Sequence, residues 1–428
     1  MVQTGSVNTT AVRGGATSPQ RGRWAAIGAV LLGTLGGVIW LWSALTGSAA
    51  IVRTIPLPTA HAAGSVMVND RAGRAVIAGE GSVSVLDTHS GDLIRATMLG
   101  GSSFGAMTIS TKTSRAFILG RRGGLTGPGD RVSVVDTRTG LVVRTVAIPF
   151  APTAAAVDEW GGHVFIACEG GRKANGTSFR GTGTVVEIDA RTGAPLRAIP
   201  ALVHPVAVAI DARTRRVFVV NGGTIGRTGP GQGTVSVLDA DTGRALYTAM
   251  VGVGAASIAV DERSGHVFVA NEGGHTVSML DARTGIVRKT IGVGYPTGLA
   301  VDTRGGHVLV ADGSAGSVSV LDAANGAIVA TVAVGGGPQA IAVDARTSRA
   351  FITATGVNTT IRLLHHLGAP WGDEDVGSYV TVLDTRDGRV VRVVRVAPTA
   401  GVAVDERAGH AFVTDWDKDS VSMLDARR

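Results

Sequence analysis

The sequence predicts an all-β protein, an eight-bladed β-propeller closed by its N-terminal strand and preceded by one transmembrane helix. Three observations carry this expectation. From residue 51 onward a phrase of four short apolar runs recurs eight times, its shortest copies are spaced like propeller blades, and the chain before it holds a long uncharged apolar run. Composition agrees: 428 residues with 44% hydrophobic and 17% charged side chains can bury a large core, and 62 Gly against 14 Pro point to many tight turns. No G-X-Y period is present, which excludes collagen, and the apolar content excludes a disordered polyelectrolyte.

Residues 1–23 carry Arg13, Arg21 and Arg23 with no acid, and read as a cytoplasmic tail. Trp24 to Leu45 follow as 22 residues without a charge, about 33 Å as a helix and so matched to a bilayer core. A signal-anchor helix is therefore expected over 24–46, with Trp24, Trp40 and Trp42 as interfacial anchors. The positive residues on its N-terminal side place the rest of the chain outside the cytoplasm, as a single-pass protein of the cell membrane. Gly47-Ser48-Ala49 has the small residues of a cleavage site, so a cleaved, secreted form is the alternative; the length of the apolar run favours a retained anchor. Three charges of the formal +7 sit in the tail, and the remainder is too dilute to predict nucleic-acid binding. One cysteine, Cys168, excludes an intramolecular disulfide, a cysteine-based zinc cluster and a C-x-x-C-H haem attachment.

The clearest copy of the repeat runs from Ile258 to Gly294. Its Val-rich runs alternate with period two between Gly, Asn and Asp turns, which reads as four short antiparallel strands, A to D. The third run ends at Asp87, Asp136, Asp189, Asp239, Asp281, Asp322, Asp384 and Asp425, with spacings of 49, 53, 50, 42, 41, 62 and 41. The first run ends at Asn69, Ser110, Asp158, Asp211, Asp261, Asp302, Asp344 and Asp405, and the second restarts six residues later. All the length variation falls between B and C. The last copy stops at Asp425-Ala426-Arg427-Arg428 without a D run, while an orphan D run, Ile51 to Pro58, precedes the first copy. Pairing the orphan with the final C strand satisfies two open edges and closes eight blades over 51–428.

The phrases VFVANEGGHTVSMLD (267–281), VFVVNGG (217–223) with TVSVLD (234–239), and LVADGSAGSVSVLD (309–322) resemble the YVTN-type β-propeller repeat family, which includes YncE-like exported proteins. The resemblance covers residues 51–428. It departs from the usual pattern in having eight units rather than the commoner seven, and Phe in place of Tyr in strand B. It implies the fold; the family mixes binding and enzymatic members, so it does not imply one function.

Catalytic motifs are absent or accidental. Gly101-Ser102-Ser103-Phe104-Gly105 matches G-x-S-x-G but lies in a D-to-A loop without a strand-to-helix elbow, and there is no H-E-x-x-H or P-loop. His163, His266, His307 and His410 recur after the A-to-B turns, where turn packing outweighs a metal ring, and Cys168 reads as a small buried residue. No catalytic residue, metal site or cofactor is predicted.

The informative features are four long B-to-C loops, Gly120 to Arg131, Glu169 to Gly183, Asn221 to Gly233 and Thr355 to Ser378. Alternating strand direction puts all four on one face, with blades 2 to 4 adjacent and blade 7 opposite blade 3 across the channel. The first wall is basic, through Arg121, Arg122, Arg172, Lys173, Arg180 and Arg227. The second holds His365 and His366 in a phrase, Thr359 to Gly368, that reads as a two-turn helix, followed by Trp371 and by Asp373, Glu374 and Asp375. Together with His204, before Pro205 in a D-to-A loop, these are the candidate ligand-binding residues, suited to an anionic ligand, an acidic glycan or a protein. Two alternatives stay open. Resemblance to propeller lactonases and lyases allows polar channel groups, His204 among them, to act as acid and base; His61 and His204 on one face leave room for a haem-binding propeller. Only Thr46 to Ala50 separate the anchor from the first D strand, so the insertion-poor face is expected against the bilayer and the long loops outward, away from membrane lipid.

Overall fold

A computed structural model describes residues 51–427, apart from 59–60, 101–102, 122–128, 149–150, 170–182, 201–203, 224–230 and 358–375. Its 32 strands form eight four-stranded antiparallel sheets. Among the described residues no helix is long and apolar enough to cross a membrane; the expected tail (1–23) and anchor (24–46) lie outside them.

Each C strand ends at the Asp that the repeat marks, and each A strand at its marked Asn, Ser or Asp. Strand B begins one residue earlier than the sequence suggests. In blade 3, for example, Asp158 pairs directly with His163, because the ladder runs to the edge of a four-residue turn. The blade 7 insertion also starts later than expected: Gly356 pairs with Gly377 and Val357 with Val376, so both ends of the Thr355 to Ser378 segment extend the B–C ladder.

The A strands stand side by side around the axis, the last (Thr399–Asp405) beside the first (His61–Asn69). Small residues let them approach. A Cβ on Gly298 would come 3.1 Å from the Gln339 carbonyl, and one on Gly401 would come 3.1 Å from that of Gly64. Each blade then buries one sheet face against the next, giving eight apolar clusters, one per seam. The third residue of strand B is a fully buried Phe in six blades (Phe117, Phe165, Phe218, Phe268, Phe351 and Phe412). Phe268 of blade 5, for instance, lies in one cluster with Leu299 and Val301 of blade 6.

Closure follows the repeat arithmetic. Ile51–Pro56 pairs antiparallel with the last C strand, Ile51 opposite Leu424 and Pro56 opposite Ser420. Ile55 and Leu57 join Phe412, Val421 and Met423 of blade 8 and Ala63, Ile77 and Leu86 of blade 1 in the closing seam.

The turn chemistry explains the recurring Asp residues. Asp281 accepts the amides of Arg283 (3.1 Å) and Thr284 (2.8 Å) and the Thr284 hydroxyl (2.9 Å), and Gly285 takes the positive φ of 67° that ends the turn. At the A-to-B turns the residue two beyond the A strand is a cation in seven blades, Arg71, Lys112, Arg213, Arg263, Arg304, Arg346 and Arg407, and Trp160 in blade 3. Several of these reach across a seam: Arg263 to the Arg304 carbonyl (2.7 Å) and Arg346 to that of Glu406 (2.8 Å). Two of the four histidines that follow these turns do the same. His266 Nδ1 lies 2.9 Å from the Ala323 carbonyl oxygen and His410 Nδ1 2.8 Å from that of Thr88.

Candidate functional site

Two sets of equivalent positions ring the channel mouth on the face of the B-to-C loops. The residue following strand B's six-residue core is Glu169 in blade 3 and Glu272 in blade 5, while the residue before the Pro that opens strand A is His204 in blade 4 and Tyr295 in blade 6. The amide after strand B donates to the carbonyl at the second position of its own blade, as Glu169 N does to Ala151 O (3.0 Å) and Glu272 N to Gly254 O (2.9 Å). This bond fixes where each acid leaves the sheet, at the seam with the following blade.

At the seam of blades 3 and 4 the Glu169 carboxylate lies between two candidates named from the sequence. Its Oε1 is 3.3 Å from His204 Nε2, and its Oε2 is 3.8 Å from a guanidinium nitrogen of Arg121 in blade 2. The acid and the imidazole are each 13% exposed, dry enough for charge to matter yet open to a ligand. His204 holds φ at 63°, a conformation costly for a side chain of this kind. Beneath them Cys168 is buried, and burial first, with the charge of Asp130 adding, pushes its thiol up to about 12. That thiol is no nucleophile, as expected from its place in the strand.

Two blades on, the seam of blades 5 and 6 repeats the arrangement with different chemistry. Tyr295 Oη donates to Glu272 Oε2 at 3.2 Å, and the His275 ring centroid lies 6.0 Å from that of Tyr295. Burial raises the Glu272 carboxyl against the lowering effect of the tyrosine hydroxyl. The Tyr295 amide donates to Asp312 (3.1 Å), whose carboxyl burial tends to raise but which the amide of Ala315 and the other donors hold low. Sequence reasoning missed Glu272 and Tyr295 because it searched the long insertions, and blade 5 has none. Overlaying the copies shows the signal, since Tyr295-Pro296 stands where His204-Pro205 stands.

The structure thus joins Arg121 and His204 through Glu169, which the sequence marked only as the start of the blade 3 insertion. Arg122, Arg172, Lys173, Arg180, Arg227, His365, His366 and Trp371 lie outside the described residues. Among the described residues no group of three or more His, Cys, Asp or Glu side chains is arranged to hold a metal ion. The A strands carry no ionisable side chain between their first and last residues in any blade. Among the described residues the channel wall therefore offers no acid or base between the two ends of its strands, and ionisable groups stand at those ends.

No protein-family model and no curated protein sequence matches the chain. Among solved structures, BamB from Moraxella catarrhalis is similar over 88% of this chain and 99% of its own, at 16% identity and a TM-score of 0.58. The Kuenenia stuttgartiensis hydrazine synthase covers 86% of this chain and 96% of its own, at 12% identity and a TM-score of 0.49. The likeness to BamB supports the propeller fold and, at that identity, nothing beyond the fold.

Proposed function

We propose that the chain is a membrane-anchored, extracytoplasmic binding propeller of the YVTN type that takes an anionic ligand, an acidic glycan or a protein partner on the face of its long B-to-C loops, without chemistry. The observation that carries this reading is the distribution of ionisable groups: none along the inner strands, and an Arg121–Glu169–His204 cluster at the mouth where the blade 2 to 4 insertions begin. Groups so placed meet a ligand on the loop-bearing rim. The test is binding of an alginate oligosaccharide to the purified full chain across a salt series, beside a variant with Arg121, Arg122, Arg172 and Arg180 replaced by Ser. Binding that weakens with salt in the native chain, and much less steeply in an equally folded variant, is the expected result. An equal salt response in the two would overturn the basic-wall reading.

One observation favours a second reading. An imidazole within 3.3 Å of a carboxylate resembles a base with its orienting acid, so a lyase or lactonase centred on His204 is the alternative. Turnover of a lactone panel that His204→Ala abolishes and Arg121→Ser spares would select it. A Soret band in the purified protein would instead select the haem-binding alternative.

A further inference from the structure

The face opposite the long loops carries two features that turn chemistry does not require. The first is an outer fringe of exposed aliphatic side chains where the D strands leave the C-to-D turns. It includes Ile94, Leu141, Leu196, Ile286, Val329 and Val52, exposed by 41–57%, and spans six blades. Further along, the D strands of blades 2, 3 and 5 turn to Arg, Lys, Thr or Ala and then to a buried Val or Ile, while Met98, Met250 and Trp416 are exposed singly at the opposite end. The second is the inner ring of cations at the A-to-B turns, all exposed, interrupted by Trp160, which at 79% is the most exposed large hydrophobic side chain described.

The charges of that ring are offset only in part: Arg407 lies 3.6 Å from Asp70 and Arg346 4.0 Å from Asp344, while Glu159, Glu262 and Glu406 of the same turns are half-buried and accept the amides of Thr111, Ala212 and Ala345. The aspartates that end the A strands are drawn inward: Asp158, Asp211, Asp261 and Asp302 are at most 1% exposed, and Asp211, Asp261 and Asp302 cap turn amides. Arg213 and Arg263 reach carbonyl oxygens, which are neutral and leave the guanidinium its full charge. A surface with cations at its centre, an indole among them and aliphatic groups around its rim fits the interface of a lipid bilayer, where phosphates meet acyl chains. The chain also enters the propeller on this face, since Ile51 sits opposite Leu424, one residue from the C-to-D end of its strand.

We infer that this face docks on an anionic membrane surface, with Arg213, Arg263, Arg304 and Arg346 on lipid phosphates and Trp160, Leu141, Ile286 and Val329 at the acyl boundary. The inference uses only the described residues and is independent of the ligand-binding reading. The test is amide hydrogen exchange of the full chain in nanodiscs of phosphatidylcholine, alone or mixed with phosphatidylglycerol. Turns 158–162, 261–265 and 284–287 should exchange several-fold more slowly in the anionic discs, with 272–276 and 415–419 unchanged, and high salt should remove the difference in the unmodified protein. A variant with the four arginines changed to Gln should lose the protection, with its melting temperature as the control for folding. Equal exchange in neutral and anionic discs would overturn docking, while resistance to carbonate extraction reports the anchor separately. Added polyanion that protects the same turns in lipid-free protein as strongly as anionic discs do would also overturn it, by showing a site for soluble anions.

Discussion

At the scale of single residues, the side chains that hold the blades together are those that repeat. Phe268 is fully buried between blades 5 and 6, and Phe268→Ala should cost about 3–5 kcal/mol, read as a lower midpoint in denaturant at constant slope. Cys168 makes a second residue-scale prediction. With its thiol pushed up to about 12 by burial, it should resist iodoacetamide in the native protein near neutral pH and react on unfolding; rapid native alkylation would contradict its placement. The repeat made both residues legible, because each falls in a Val-rich B run. Glu169 and His204 were legible separately and illegible as a pair. They are 35 positions apart, and only the seam between two blades brings them within reach.

At the scale of elements, strand ends were legible because the chain marks them chemically. A polar side chain that accepts an amide of the following turn stops a strand wherever it stands, Asp at fourteen ends and Asn69 and Ser110 at two, so sixteen strand ends could be read from the copies. The ladder extending into the blade 7 insertion was not, since Thr355, Gly356 and Val357 have neither the alternation nor the turn signal that would assign them. The orphan strand was legible only by counting copies. Deleting 51–58 should leave the Ser420–Asp425 strand with an open edge and uncover Met423 and Val421. Aggregation, or a broad transition in place of a single cooperative one, is the expected outcome. Unchanged solubility and melting of that truncation would contradict closure by this strand.

At the scale of the whole molecule, the turn aspartates act in parallel around the ring. Asp281 is held down to about 2: burial tends to raise it, but Arg288 and the donors of Thr284 and Arg283 outweigh that. Asp87, Asp136, Asp189, Asp239 and Asp384 are lowered too. A carboxyl lower in the folded than in the unfolded chain gives its full stabilisation above the ordinary carboxylate range and loses it as the pH falls through the folded value. Glu272 and Glu406, raised by burial, act in the opposite sense and relieve a little strain on acidification. Stability should therefore be level near neutrality and fall steeply from about pH 4 toward pH 2, and Asp281→Asn should flatten part of that fall. A melting temperature constant over the interval would contradict the turn geometry.

The pairing of Ile51 with Leu424 has a further consequence in time. The strand that closes the ring is made before any blade, and its partner only after the other seven, so the edge formed first stays open until residues 420–425 have been made. Waiting costs little in chain entropy, since doubling a loop adds only about 0.6 kcal/mol. It does mean that a product cut short by even the final strand has no way to close. A chain stalled before that strand presents to proteases the open edges that the closed ring conceals.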